Sequence, residues 1–112
     1  MSFVIVRAYL SYGAIDPNAV TNLTRAKSAG LITDIYHFPC LKVAAATQAE
    51  AVISGISKSL YGTVWIDVES NPSSGCGWSS NINTNCNFLG DLVDFYKGKG
   101  ILVGIYGSKS QW

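Results

Sequence analysis

Hydrophobic and polar positions alternate between two periods along this chain. Phe3-Val4-Ile5-Val6-Arg7-Ala8-Tyr9-Leu10 is β-branched and aromatic, closes on the turn-like Ser11-Tyr12-Gly13, and reads as a buried strand. Asp16-Pro17 then supplies an N-cap and a proline at the first helical position. Val20, Leu23, Ala26 and Lys27 or Ala29 recur at helical spacing up to Ala29-Gly30, whose glycine suits a C-cap. The cycle repeats. Asp34-Ile35-Tyr36-His37-Phe38 predicts a second strand stopped by Pro39, and Thr47-Gln48-Ala49-Glu50 has the form of a capping box opening a helix through about Leu60. Gly62 to Glu69 predicts a third strand. After a loop from Ser70 to about Thr84, a helix carrying Phe88, Leu89, Leu92, Val93 and Tyr96 runs to Gly98-Lys99-Gly100, and Ile101 to Tyr106 is a fourth strand.

Strand starts near residues 3, 33 or 34, 63 and 101 are one strand, one helix and two short loops apart. This predicts an α/β fold: a parallel-sheet βα repeat of four strands and three helices with right-handed crossovers. The extra length of the last unit lies between Cys76 and Cys86. In such folds the strand ends carry the chemistry, so an enlarged loop after a strand is a candidate wall of the binding site.

The 112 residues, 48% hydrophobic and 13% charged, suffice for one folded domain. A closed eightfold βα barrel needs about 200 residues or more, so the fold is expected to be small or incomplete. Eight Lys and Arg against seven Asp and Glu, without a basic cluster, leave no footprint for nucleic acid or an anionic membrane. Apolar runs are only a few residues long, far short of the roughly 20 that span a membrane. Met1 to Arg7 lacks the pattern of a secretion signal, while Asn22-Leu23-Thr24 is a sequon compatible with an extracellular route. Cys40, Cys76 and Cys86 show no CxxC spacing. Cys76 and Cys86 flank a Gly, Ser and Asn-rich stretch and are either a loop disulfide or free buried thiols, leaving Cys40 as a thiol or needing a partner outside the chain.

Trp65-Ile66-Asp67-Val68-Glu69 carries the most chemistry. Alternation across a strand puts Trp65, Asp67 and Glu69 on one face and the apolar Ile66 and Val68 on the other. Two carboxylates at i and i+2 at the C-terminal end of a parallel strand fall within the roughly 5 to 9 Å window of glycosidases. Repulsion and partial burial would split their pKa values, keeping one protonated as acid. Glu69, with the longer reach, is the candidate general acid, and Asp67 would stabilise positive charge or orient the substrate. Solvated strand-end carboxylates or a two-carboxylate magnesium site are the competing readings. Tyr36 and Phe38 on one face at the end of the second strand, and Tyr106 at the end of the fourth, suit a sugar, whose apolar face stacks on rings. His37 reads most simply as a hydrogen-bonded structural residue. As the only histidine, it excludes a histidine-rich metal site, and no metal or cofactor is implied.

These residues resemble glycoside hydrolase family 25, lysozymes that cleave peptidoglycan at N-acetylmuramic acid. Phe3 to Ala8 is similar to that family's second strand, Tyr36-His37-Phe38 to its third, Asp67-Val68-Glu69 to its Asp-x-Glu catalytic pair, and Val103 to Ser108 to its fifth strand. Ser11-Tyr12-Gly13 and Ser110-Gln111-Trp112 are similar to its eukaryotic branch. The resemblance implies a modified β/α barrel, here partial, and a secreted or lysosomal/phagosomal muramidase acting on the peptidoglycan glycan strand. It implies Glu69 as general acid and Asp67 as its assistant, stabilising an oxocarbenium or oxazolinium ion. Tyr36, Phe38 and Tyr106 would line the sugar subsite. Members normally begin with an additional strand bearing an aspartate that faces the site, and continue beyond the fifth strand. This chain is therefore expected to be the central segment of such a barrel, with exposed sheet edges able to self-associate. A non-catalytic sugar-binding relative and a metal-dependent phosphate enzyme are the alternatives; the latter lacks a Gly-rich loop after the first strand.

Overall fold

The computed structural model describes residues 2–71 and 73–107, so Ser108 and Ser110-Gln111-Trp112 lie outside the described residues. In chain order the elements are β1 (Phe3–Leu10), β2 (Ala14–Ile15), α1 (Ala19–Ser28), β3 (Ile32–His37), α2 (Ala45–Gly55), a 3-10 turn (Lys58–Leu60), β4 (Thr63–Val68), α3 (Ile82–Gly98) and β5 (Leu102–Gly107). They form one sheet in the order β2-β1-β3-β4-β5. The four long strands are parallel, as the βα alternation requires; β2 pairs antiparallel with the end of β1. This fifth strand was not expected, because two residues are too few to show a period.

Alternation along each strand divides the sheet into two unlike faces. Val6, Ala8, Ile35, Val64, Ile66 and Val68 join Leu23 of α1, Ala49 and Val52 of α2 and Leu92 and Tyr96 of α3 in one buried core. Phe3, Ile5, Tyr36, Trp65, Asp67 and Tyr106 point the other way, into an open cavity. Helices on one face only are the arrangement of a barrel wall, in contrast to a doubly wound sheet.

The helix boundaries depart from the sequence pattern for identifiable reasons. Asp16 is not the N-cap of α1: the helix starts at Ala19 behind Asn18 with no side-chain cap, while Asp16 accepts the Asn18 N–H at 2.9 Å in the turn before it and holds Arg7 with its other oxygen. At the other end Gly30 adopts φ +82°, the left-handed conformation that releases the chain into β3. The Thr47 to Glu50 pattern is not a cap: α2 begins two residues earlier with no side-chain cap and ends at Gly55 rather than near Leu60. Gln48 faces inward instead. Its amide nitrogen donates to the carbonyls of Cys40 and Val43, which turns Oε1 toward His37 Nε2 at 2.8 Å. His37 Nδ1 meets the Tyr96 hydroxyl at 2.8 Å, so both ring nitrogens are satisfied inside the core. Burial pushes this imidazole down to about 4 despite the Gln48 hydrogen bond, leaving it neutral.

Candidate functional site

The cavity, of about 470 Å³, lies on the uncovered face of the sheet and is lined by Phe3 and Ile5 of β1, Tyr36 of β3, Trp65 and Asp67 of β4 and Tyr106 of β5. Strand register explains the assembly. Tyr36 pairs with Trp65, Trp65 with Gly104, and Asp67 with Tyr106, so these positions stand in two adjacent rows across the parallel strands. Gly104 is required by the close approach of the indole: a Cβ there would sit 2.4 Å from Trp65 Cζ3. Asp34 on β3 fixes the other end of the ring, accepting from Trp65 Nε1 at 3.0 Å and from the Thr63 N–H at 2.9 Å. Trp65 is thus a rigid aromatic shelf beneath Asp67.

Asp67 is the buried member of the carboxylate pair, at 7% exposure, while Glu69 lies just past the end of β4 and is half-buried. Burial, a side-chain hydrogen bond with Glu69 and the charge of Glu69 raise Asp67 to about 7, in that order of weight. Among the described residues Asp67 Oδ1 has no hydrogen-bond partner, which adds to the penalty for ionising it. The two side chains are thus close enough to hydrogen-bond, and Asp67 is the member that keeps its proton to about pH 7. Burial also raises the Tyr36 phenol, with Arg7 pulling it down and Asp67, Asp16 and Glu69 pushing it up.

Of the residues singled out in the sequence, the structure brings Asp67, Glu69, Tyr36 and Tyr106 to one place. Phe38 is not among the residues lining this cavity: it lies one residue past the end of β3 at His37, with its N–H donating to the Tyr9 carbonyl. Phe3 and Ile5 were missed as lining residues, although the i, i+2 alternation leading to Arg7 places them on the open face. No three His, Cys, Asp or Glu side chains among the described residues converge as metal ligands.

The enlarged loop after β4 contributes no lining residue to the described cavity, and its crosslink is neither the Cys76–Cys86 bond nor a set of free thiols. Cys76 bonds to Cys40, at the exit of β3, and Cys86 is a free, exposed thiol on α3. The reason is topological: β3 and β4 are neighbours, so the loops leaving their C-terminal ends meet, whereas α3 carries Cys86 out to solvent. Hydrogen bonds follow the same route. Leu41 N–H donates to the Cys76 carbonyl, Asn71 Nδ2 donates to the carbonyls of Ser11 and Pro39, and Trp78 Nε1 donates to the Glu69 carbonyl at 3.0 Å.

Known proteins share both sequence and fold with this chain. A family model described as lysozyme-like protein 1 matches residues 1–112. The probable GH family 25 lysozymes 2 and 4 of Dictyostelium discoideum are 37% and 33% identical over 114 residues, in each case covering 98% of this chain and 51% of the relative. Among solved structures, a family GH25 lysozyme from Aspergillus fumigatus superposes with a TM-score of 0.80 at 25% identity, covering 99% of this chain and 56% of that one. A muramidase from Acremonium alcalophilum gives 0.81 at 21% identity, covering 99% and 56%, a likeness of fold alone. The chain spans about half the length of the curated relatives it matches.

Proposed function

The chain belongs to the lysozymes of glycoside hydrolase family 25, and from that premise we propose that it acts on the peptidoglycan glycan strand as a muramidase. The bond cut is the β-1,4 linkage between N-acetylmuramic acid and N-acetylglucosamine. The observation that carries this reading is the buried Asp67, raised to about 7 and hydrogen-bonded to Glu69, beside the aromatic residues at the C-terminal end of β4. Asp67, buried, holds a proton up to about pH 7. Glu69, at the strand end with the longer side chain, passes it to the leaving oxygen. The pair then carries additional negative charge beside the cationic transition state, where it is worth most in a partly desolvated site. Because both carboxyls act from one side, the nucleophile that attacks the anomeric carbon as the glycosidic bond breaks is the oxygen of the substrate's own acetamido group, closing to an oxazolinium ion, or a group from another part of the fold. Trp65, Tyr36 and Tyr106 hold the sugar against the pair by stacking and hydroxyl hydrogen bonds. An oxidising destination, secreted or lysosomal, agrees with the Cys40–Cys76 disulfide.

The test is clearing of a muramic-acid-containing cell-wall suspension. Glu69→Gln is expected to remove clearing while its circular dichroism melt stays at the wild-type position. Clearing by a folded Glu69→Gln variant would reject the acid assignment. A non-catalytic sugar-binding role is favoured by one observation, that Asp67 is the only acidic residue lining the described cavity. Binding of N-acetylglucosamine oligomers without any hydrolysis of cell walls would establish that reading instead.

A further inference from the structure

β4 delivers Glu69 one residue beyond the end of its ladder. The last registered pair toward β3 is His37 with Ile66, and toward β5 it is Gly107 with Val68. Past those pairs no neighbouring strand among the described residues holds the Glu69 backbone, and three side-chain torsions lie between that backbone and its carboxyl oxygens. A carbonyl at such an end needs another donor. Trp78 supplies it, its indole Nε1 donating to the Glu69 carbonyl at 3.0 Å.

Trp78 is itself held from three directions. Its ring meets Phe88 of α3 edge-on, with centroids 6.2 Å apart and planes at 89°, and both rings pack, partly buried, against the core. Immediately after it, Ser79 is tied to Asn85 twice at 2.8 Å: the Ser79 N–H donates to Asn85 Oδ1, and Asn85 Nδ2 donates to the Ser79 carbonyl. Two residues before it, Cys76 is bonded to Cys40. Asn85 and Phe88 stand three apart on α3 and share one face near its start, which makes the first turns of that helix a socket for Trp78 and Ser79. Trp78 is also the only aromatic residue in the polar stretch between β4 and α3. An indole in so polar a loop, with its one donor directed at one main-chain oxygen, fixes the residue that bears that oxygen.

We propose that Trp78 is the positioning residue for Glu69: the indole carries the rigidity of α3 to the main chain of the general acid at the point where the sheet ceases to supply it. This role deepens the glycosidase reading above and rests on it, since Trp78 acts only through Glu69, keeping its carboxyl within hydrogen-bonding reach of Asp67. Proton transfer is steeply sensitive to such placement, because a displacement of about 1 Å can cost on the order of a hundredfold in rate.

Two substitutions separate the donor from the ring. Trp78→Phe keeps an aromatic ring for Phe88 and deletes the N–H, whereas Trp78→His keeps a ring N–H and deletes the six-membered ring. Each is assayed in the full chain for kcat and KM on soluble peptidoglycan fragments, for thermal melting, and by carbon-13 NMR titration of the Asp67 carboxyl, which senses Glu69 with or without turnover. Trp78→Phe is expected to lose about tenfold in kcat at unchanged KM, with a melting midpoint within about 5 °C of wild type. Its Asp67 should titrate at lower pH, because a displaced Glu69 no longer bonds or repels it. Trp78→His should melt below Trp78→Phe yet keep more of kcat and of the Asp67 titration. A merely structural Trp78 would give kcat values in the order of the melting temperatures, with Asp67 unmoved in both variants. That pattern, or wild-type kcat and titration in Trp78→Phe, overturns the proposal. If the wild type turns nothing over, the muramidase reading fails; a lowered Asp67 titration in Trp78→Phe then still upholds the placement of Glu69 by Trp78, and an unmoved one removes both.

Discussion

Asp67→Asn removes a buried ionisable group while keeping its size, and the consequence for stability has a definite sign. Asp67 holds its proton up to about pH 7 in the folded chain, whereas an unfolded Asp releases it near 4. Between those values the folded state binds a proton that the unfolded state lacks, so stability is greatest in acid and declines as pH rises toward 7. The linkage relation gives a loss of about 2 to 3 kcal/mol from this group between pH 5 and pH 8. His37 works in the opposite direction. Held near 4 in the fold, it contributes stability that is present above 6.5 and is lost as pH falls toward 4. The quantity to measure is therefore the difference between wild type and Asp67→Asn in urea melts at the two pH values, in which the histidine cancels. That difference should move by about 2 to 3 kcal/mol in favour of the variant on going from pH 5 to pH 8. Parallel pH dependences for the two proteins would refute the view that Asp67 stores the proton, and with it the use of the pair as an acid.

Two further outcomes follow from the scaffold around the pair. Replacing Cys40 and Cys76 together by Ala opens a link between residues 36 apart and should reduce stability by about 4 kcal/mol, read as a lower urea midpoint that reductant no longer shifts, whereas Cys86→Ser leaves the midpoint unchanged. A large loss on Cys86→Ser alone would contradict the assigned pairing. Gly104→Ala drives a methyl group into the Trp65 ring and should cost about 1 to 3 kcal/mol together with a shift in tryptophan fluorescence; an unaltered melt and spectrum would show that the shelf is not rigid.

The repeat of strand and helix was legible because each parallel strand keeps one apolar face buried under helices, and the period survives in the sequence. Asp67, Glu69, Tyr36 and Tyr106 were legible for the same reason: all four stand at the C-terminal ends of strands whose direction is set by that repeat. Phe38, grouped with Tyr36 by alternation, falls one residue past the end of β3, where Pro39 follows and strand alternation no longer applies. Gln48 was hidden inside a capping-box pattern, since nothing local indicates that a polar residue one turn into a helix is wanted by a buried histidine. The Cys40–Cys76 bond depends on which strands are neighbours, a relation between segments that spacing along the chain does not encode. Asp16 shows the same limit at closer range: the Asp-Pro pattern suggests a helix cap, whereas its carboxylate holds the turn before α1 and Arg7.

The fastenings of the loop after β4 have one chemical property in common. A disulfide, two carboxamide hydrogen bonds from Asn71, a backbone link from Leu41 and an indole N–H on the Glu69 carbonyl hold it against the exit of β3. None of these gains or loses a proton across the range in which Asp67 titrates. Acidity can therefore load or unload Asp67 while the loop that follows its strand keeps its outline, and shape and charge become independent variables at a single place in the fold.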